Sequence, residues 1–105
     1  MTTESGSTER APELTGRQRK HLRGLAHGME PVLHVGGAGV TGAVLAETVR
    51  ALLAHELIKV RLHAPANKHA LAEELAAKAG AALCGLVGHV VILYRPHPEK
   101  PRIAP

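Results

Sequence analysis

Apolar and polar positions recur along the chain with two different periods, and each change of period marks a boundary between elements. In TGRQRKHLRGLAH (15–27), Leu22, Leu25 and Ala26 stand at helical spacing in an otherwise charged segment, which predicts a helix with a narrow apolar stripe. Thr15 followed at i+3 by Gln18 is a capping-box signature, so this helix is expected to begin near Gly16 and to end by Gly28 and Pro31. PVLHV (31–35) reads as a short strand. Thr41 is placed to cap a second helix, in which Leu45, Val49, Leu52 and Leu53 recur at i, i+4, i+7 and i+8. LIKVRLH (57–63) then alternates strictly: Ile58, Val60 and Leu62 face one way, Lys59, Arg61 and His63 the other. That predicts a strand with one dry face and one positive face. Pro65 breaks it, and Asn67 caps a third helix that carries Leu71 and Leu75 and stops at Gly80. Two apolar runs, 81–87 and 90–94, flank Gly88-His89, a pairing that predicts a type II′ hairpin and antiparallel strands.

The order α-β-α-β-α-β-β predicts an α/β fold: one compact domain over 14–96, with a four-stranded mixed sheet and helices packed on it. Residues 1–13, rich in Ser, Thr, Glu and Gly without apolar periodicity, are expected to form a disordered tail. Pro96 closes the domain, and the proline-rich residues 97–105 are expected to leave it in an extended form. No apolar run is long enough to span a membrane and no signal sequence is recognisable, so a cytoplasmic protein without a membrane partner is expected.

Composition then removes whole classes of chemistry. The chain of 105 residues has one cysteine, Cys84, which allows neither a disulfide framework nor a thiolate metal site. Its eight histidines include no i, i+4 pair, and no metal site is expected. Aspartate is absent throughout and serine is absent from the folded region, which excludes a Ser/His/Asp triad and a paired-aspartate magnesium site. Cys84 lies inside the apolar run AALCGLV, where a half-buried strand residue is expected rather than a nucleophile. The expectation is a binding protein with no catalytic residues and no cofactor.

The charge is informative through its position. Thirteen Lys and Arg oppose nine Glu, a formal net charge of +4. Within 14–29 lie Arg17, Arg19, Lys20 and Arg23, with His21 and His27 and not one acid. Such a field favours a phosphate-bearing partner, and with no acids to pair them these charges are expected to be free for it.

HVGGAGVTGA (34–43) contains two glycine motifs. Gly37, Gly39 and Gly42 spell G-x-G-x-x-G, the dinucleotide fingerprint, while Gly36 and Gly39 spell G-x-x-G, a loop able to hold an RNA backbone. The dinucleotide reading needs an acid about 20 residues on, at the end of the next strand. His63-Ala64-Pro65 stands there instead, and the chain finishes in a hairpin rather than in further βα units. The RNA reading needs only a side-chain-free turn at a helix start, with basic neighbours: Gly36, Gly37, Ala38, Gly39 and Thr41, extended by Arg17, Arg19, Lys20, Arg23, Lys59 and Arg61. With Tyr94 the only aromatic residue, an RNA site that works by base stacking is not expected. A nucleotide-binding module on Gly37, Gly39 and Gly42, or a basic module for an acidic protein, stands as the alternative.

LTGRQRKHLRGLAH (14–27), PVLHVGGAGVT (31–41), HELIKVRL (55–62) and VILYRP (91–96) together resemble the YhbY family of bacterial CRM-domain proteins, CRM standing for chloroplast RNA splicing and ribosome maturation. The resemblance implies a fold similar to the C-terminal domain of bacterial translation initiation factor three. It also implies RNA binding, with rRNA of large-ribosomal-subunit precursors as partner; a monomer is expected. Carried onto this chain, the family's G-x-x-G loop falls on Gly36 to Gly39 and its basic helix on Arg17, Arg19, Lys20 and Arg23. Two departures stand out: Gly37-Ala38 brings no side-chain donor to the loop, and Gly42 replaces a better helix former.

Overall fold

The computed structural model describes residues 11–63 and 67–105. Residues 1–10 of the expected tail and Pro65 lie outside the described residues. Its elements run α1 (Gly16–Ala26), β1 (Pro31–Val35), α2 (Gly42–His55), β2 (Leu57–Leu62), α3 (Lys68–Ala79), β3 (Ala82–Val87) and β4 (Val90–Tyr94). The expected element order is therefore observed.

Each helix begins where a side chain satisfies its first free N–H groups. Thr15 Oγ1 accepts from Gln18 N while Gln18 Oε1 accepts from Thr15 N, closing the capping box of α1. Thr41 Oγ1 accepts from Val44 N at 3.2 Å, and Asn67 Oδ1 from Ala70 N at 3.2 Å. Two arginines close the far ends: Arg102 Nη2 donates to Ala54 O of α2, and Arg95 Nη1 to Ala79 O of α3. Cations at helix C-termini satisfy orphan carbonyls and complement the helix dipole.

The four strands form one mixed sheet in the order β1-β2-β4-β3. β1 and β2 are parallel, joined through α2, whereas β2–β4 and β3–β4 are antiparallel. In the β3–β4 turn Gly88 has φ +62 while His89 is not at positive φ. A type I′ turn needs both central residues there, so the pattern is that of type II′.

Strand alternation divides the core in two. Leu33, Val35, Ile58, Val60, Leu62, Val91 and Leu93 point to the face covered by α2 and α3. Leu57, Cys84, Ile92 and Tyr94 point to the opposite face, where Leu22 and Ala26 of α1 cover them. Lys59 and Arg61 share this second face, beyond the part that α1 covers. The positive face of β2 is thus continuous with a packed one, which alternation alone does not reveal.

Three expectations are corrected. Leu25 and Leu53, placed in apolar stripes, are 47% and 49% exposed; the buried positions of α1 are Leu22 and Ala26, and in α2 Thr48 and Leu52. Thr48 is accommodated because its Oγ1 donates to Val44 O one turn back. Residues 11–13, expected in the tail, lie against the fold, with Ala11 and Pro12 half-buried beside Arg19 and Leu83.

The third correction concerns residues 97–105, which return to the domain instead of leaving it. Glu56 is fully buried between α2 and β2, at φ +68. Its carboxylate accepts from His97 N (2.7 Å), Arg102 N (2.9 Å) and Ile103 N (2.9 Å). Tyr94 Oη donates to Ile103 O at 3.2 Å, and Ile103 packs on the cluster beneath α1. Prolines set the chain's direction here, but a buried anion decides where it docks. Among the described residues no helix is long and apolar enough to cross a membrane.

Candidate functional site

The residues 36–39 form a β-turn closed by Gly39 N donating to Gly36 O at 3.0 Å. Gly39 takes φ +77, a conformation an L side chain rarely adopts, and its outward space is bounded only by Leu71 Cδ1 at 3.9 Å. Gly36 and Gly37 have ordinary φ, and a Cβ on either would meet nothing within 4 Å. Packing therefore does not require glycine at either position. Thr41 N turns back onto Gly39 O, and Thr41 Oγ1 is taken by the α2 cap. The N–H groups of Gly37 and Ala38 meet no protein acceptor among the described residues and stand at the exposed start of α2. These are two exposed backbone donors just before the N-cap of α2, the helix end that carries partial positive charge.

The basic residues do not act as one set. Lys20, Arg23, Gly24 and His27 line one side of a groove of about 810 Å³, at the i, i+3, i+4, i+7 spacing of a single helix face. Lys59 and Arg61 line its other side, from the uncovered part of the sheet. Arg61 pairs in register with His34, two residues before Gly36, so the strand end that carries Arg61 lies beside the one that runs into the turn, although no residue of 36–41 lines the groove itself. Glu30 is the one acid in this lining.

Two arginines expected to be free are engaged. Arg19 Nη1 donates to Leu14 O at 2.8 Å, on the flank of α1 away from the groove, and Arg23 Nη1 to Cys84 O at 2.9 Å. Lys59 Nζ reaches His27 O at 3.3 Å. A hydrogen bond to a neutral carbonyl leaves the charge in place, so these groups tie α1 to the sheet while still contributing to the field. Arg17 is exposed in the first turn of α1 but does not line the groove. Among the described residues the side chains of Arg17, Lys20 and Arg61 have no hydrogen-bond or ion-pair partner in the protein.

Cys84 is buried beneath α1, and burial pushes its thiol up to about 11, against the opposing pull of Arg19 and Arg23. It is a packing residue in the protonated form at neutral pH. The dinucleotide reading meets a topological obstacle. Among the described residues β1 and β2 form the one parallel pair, β4 and β3 are an antiparallel hairpin, and there is no second mononucleotide-binding half.

Comparison with known proteins places these features in context. The CRS1/YhbY (CRM) domain description matches residues 14–95. An RNA-binding protein of Haemophilus influenzae is 40% identical over 88 residues, covering 82% of this chain and 89% of that protein. YqeI of Bacillus subtilis is 34% identical over 92 residues, covering 86% and 96%. The solution structure of Staphylococcus aureus protein SAV1595 superposes with a TM-score of 0.74 at 31% identity, covering 83% of this chain and 93% of that one.

Proposed function

The chain belongs to the CRS1/YhbY (CRM) domain family, and from that premise we propose that it is a non-catalytic, cytoplasmic RNA-binding protein that engages rRNA in precursors of the large ribosomal subunit. The observation that carries this reading is the convergence of Lys20, Arg23, Lys59 and Arg61 on one groove from two elements distant in sequence. The strand that carries Arg61 is paired with the one that runs into the exposed turn 36–39. A polyanion with regularly spaced phosphates meets both features at once, charge along the groove and backbone N–H at the turn. The names borne by the relatives support RNA as that polyanion. Gly36, Gly37, Ala38 and Gly39 form the phosphate-facing turn, and Thr41 holds it at the start of α2 through its cap. Lys20, Arg23, Lys59 and Arg61 supply the groove, while Arg17 and Arg19 add to the field from outside it.

The test follows from the open space around Gly37. A Cβ at Gly37 meets no atom within 4 Å, so Gly37→Ala should leave the melting temperature unchanged while affinity for precursor rRNA falls, because a side chain then stands between phosphate and backbone. Undiminished affinity would remove the turn from the site. In lysates the protein should co-sediment with large-subunit precursors in a nuclease-sensitive way; nuclease-resistant association would favour an acidic protein partner instead.

A further inference from the structure

We infer that the groove between α1 and the open part of the sheet takes an unpaired stretch of RNA, with its bases against an aliphatic floor and its phosphates on the two basic rims. This rests on the RNA-binding reading above and adds which form of RNA the groove accepts.

The floor carries the inference. Between the rim residues Lys20 and Arg23 on one side and Lys59 and Arg61 on the other lie Val87, Val90 and the edge of Ile92. Val87 is 65% exposed at the end of β3, although it is a large apolar side chain on a sheet face that elsewhere is covered. Fold stability does not account for that exposure, since the packing partner that covers Cys84, Ile92 and Tyr94, α1, stops short of it. An apolar floor between cationic walls is complementary to an amphipathic polyanion, one with flat apolar faces and negative charge along a single edge. Unpaired RNA has this character. A duplex does not: its bases are stacked inside, and it offers proteins phosphates and 2′-hydroxyls over a surface too broad for the floor to touch. The volume agrees, because about 810 Å³ is the scale of a pocket for a compact ligand rather than a cradle for a helix.

The floor also sets the selectivity. Among the described residues the groove lining contains no Phe, Tyr or Trp and no Asn, Gln, Ser or Thr side chain, and the His27 imidazole is its one ring. Base edges find few partners there, so the groove should hold unpaired segments with little preference among sequences.

The test is fluorescence anisotropy with the full chain, an unstructured oligonucleotide and a perfect RNA duplex of equal length. The single strand should bind at least tenfold more tightly than the duplex. Val87→Asp, at an exposed position, should weaken single-strand binding at least tenfold and leave duplex binding within about threefold. Leu53→Asp, which adds the same charge on α2 away from the groove, should change neither by more than about threefold. Duplex binding equal to or tighter than single-strand binding, or equal effects of the two aspartates, would overturn the inference while leaving RNA binding intact. Failure to bind either RNA would instead remove the reading on which it rests.

Discussion

Glu56 and Ile103 are joined across 47 residues by a hydrogen bond of 2.9 Å, from the Ile103 N–H to the buried carboxylate. With the bonds from His97 and Arg102, this makes one side chain the anchor for the whole C-terminal segment.

Replacing that carboxylate should therefore cost more than a surface change would. Glu56→Gln keeps the size but turns part of the acceptor into a donor facing backbone N–H groups. Hydrogen bonds to a buried charge carry larger energies than neutral ones, so a loss of about 2 kcal/mol is expected. In a chain ending at residue 96 the donors are gone, and there the same substitution should be neutral or stabilising. Urea denaturation of the four proteins forms a double-mutant cycle, and additive effects would show that the segment is not held through Glu56.

The same group fixes a pH dependence. Burial raises the Glu56 pKa, but the N–H donors of His97, Arg102 and Ile103 and the Arg102 charge outweigh it, so the folded value lies below the ordinary one. Its stabilisation is then complete above the unfolded value of about 4.3 and is lost as pH falls through the folded value. The stability difference between the wild type and Glu56→Gln should stay constant from pH 8 to 5.5 and shrink as acid is added below that. A difference that grows on acidification would mean the carboxylate is not ionised in the fold.

Arg23 and Gly85 form a close pair on the α1 face. A Cβ at Gly85 would lie 2.7 Å from Arg23 Cδ and 3.2 Å from its Cγ, while Arg23 Nη1 is tethered to Cys84 O. Gly85→Ala should thus destabilise by about 1–2 kcal/mol through overpacking. In an Arg23→Ala background the added methyl should cost much less, which thermal melts of the single and double variants will read. Equal costs in both backgrounds would show that the Arg23 stem does not lie over Gly85.

Periodicity and capping residues made the elements legible in the sequence: Thr15, Thr41 and Asn67 each start a helix as their side-chain chemistry dictates. The stripes were legible only to their centres. Leu25 and Leu53 sit at the stripe edges, where helical spacing cannot say how far the sheet beneath extends. The docking of residues 97–105 had no sequence signal, because the partners of Glu56 are backbone N–H groups in a segment without periodicity. For the site, the alternation of β2 placed Lys59 and Arg61 on one face, but not which part of that face α1 leaves open. Charge counting likewise could not separate Lys20, directed to the groove, from Arg19, which is tied to Leu14 O.

The central claim, an electrostatic RNA site in the α1–sheet groove, is tested most directly by the salt dependence of RNA binding. For single-stranded RNA, log K should fall with log salt by about 0.7 for each phosphate neutralised. The side chains of Lys20 and Arg61 have no protein partner among the described residues, so changing both to Ala should leave the fold intact. The double variant should bind more weakly and flatten that slope by about 1.4, two phosphate contacts' worth. An unchanged slope with unchanged affinity would contradict the account.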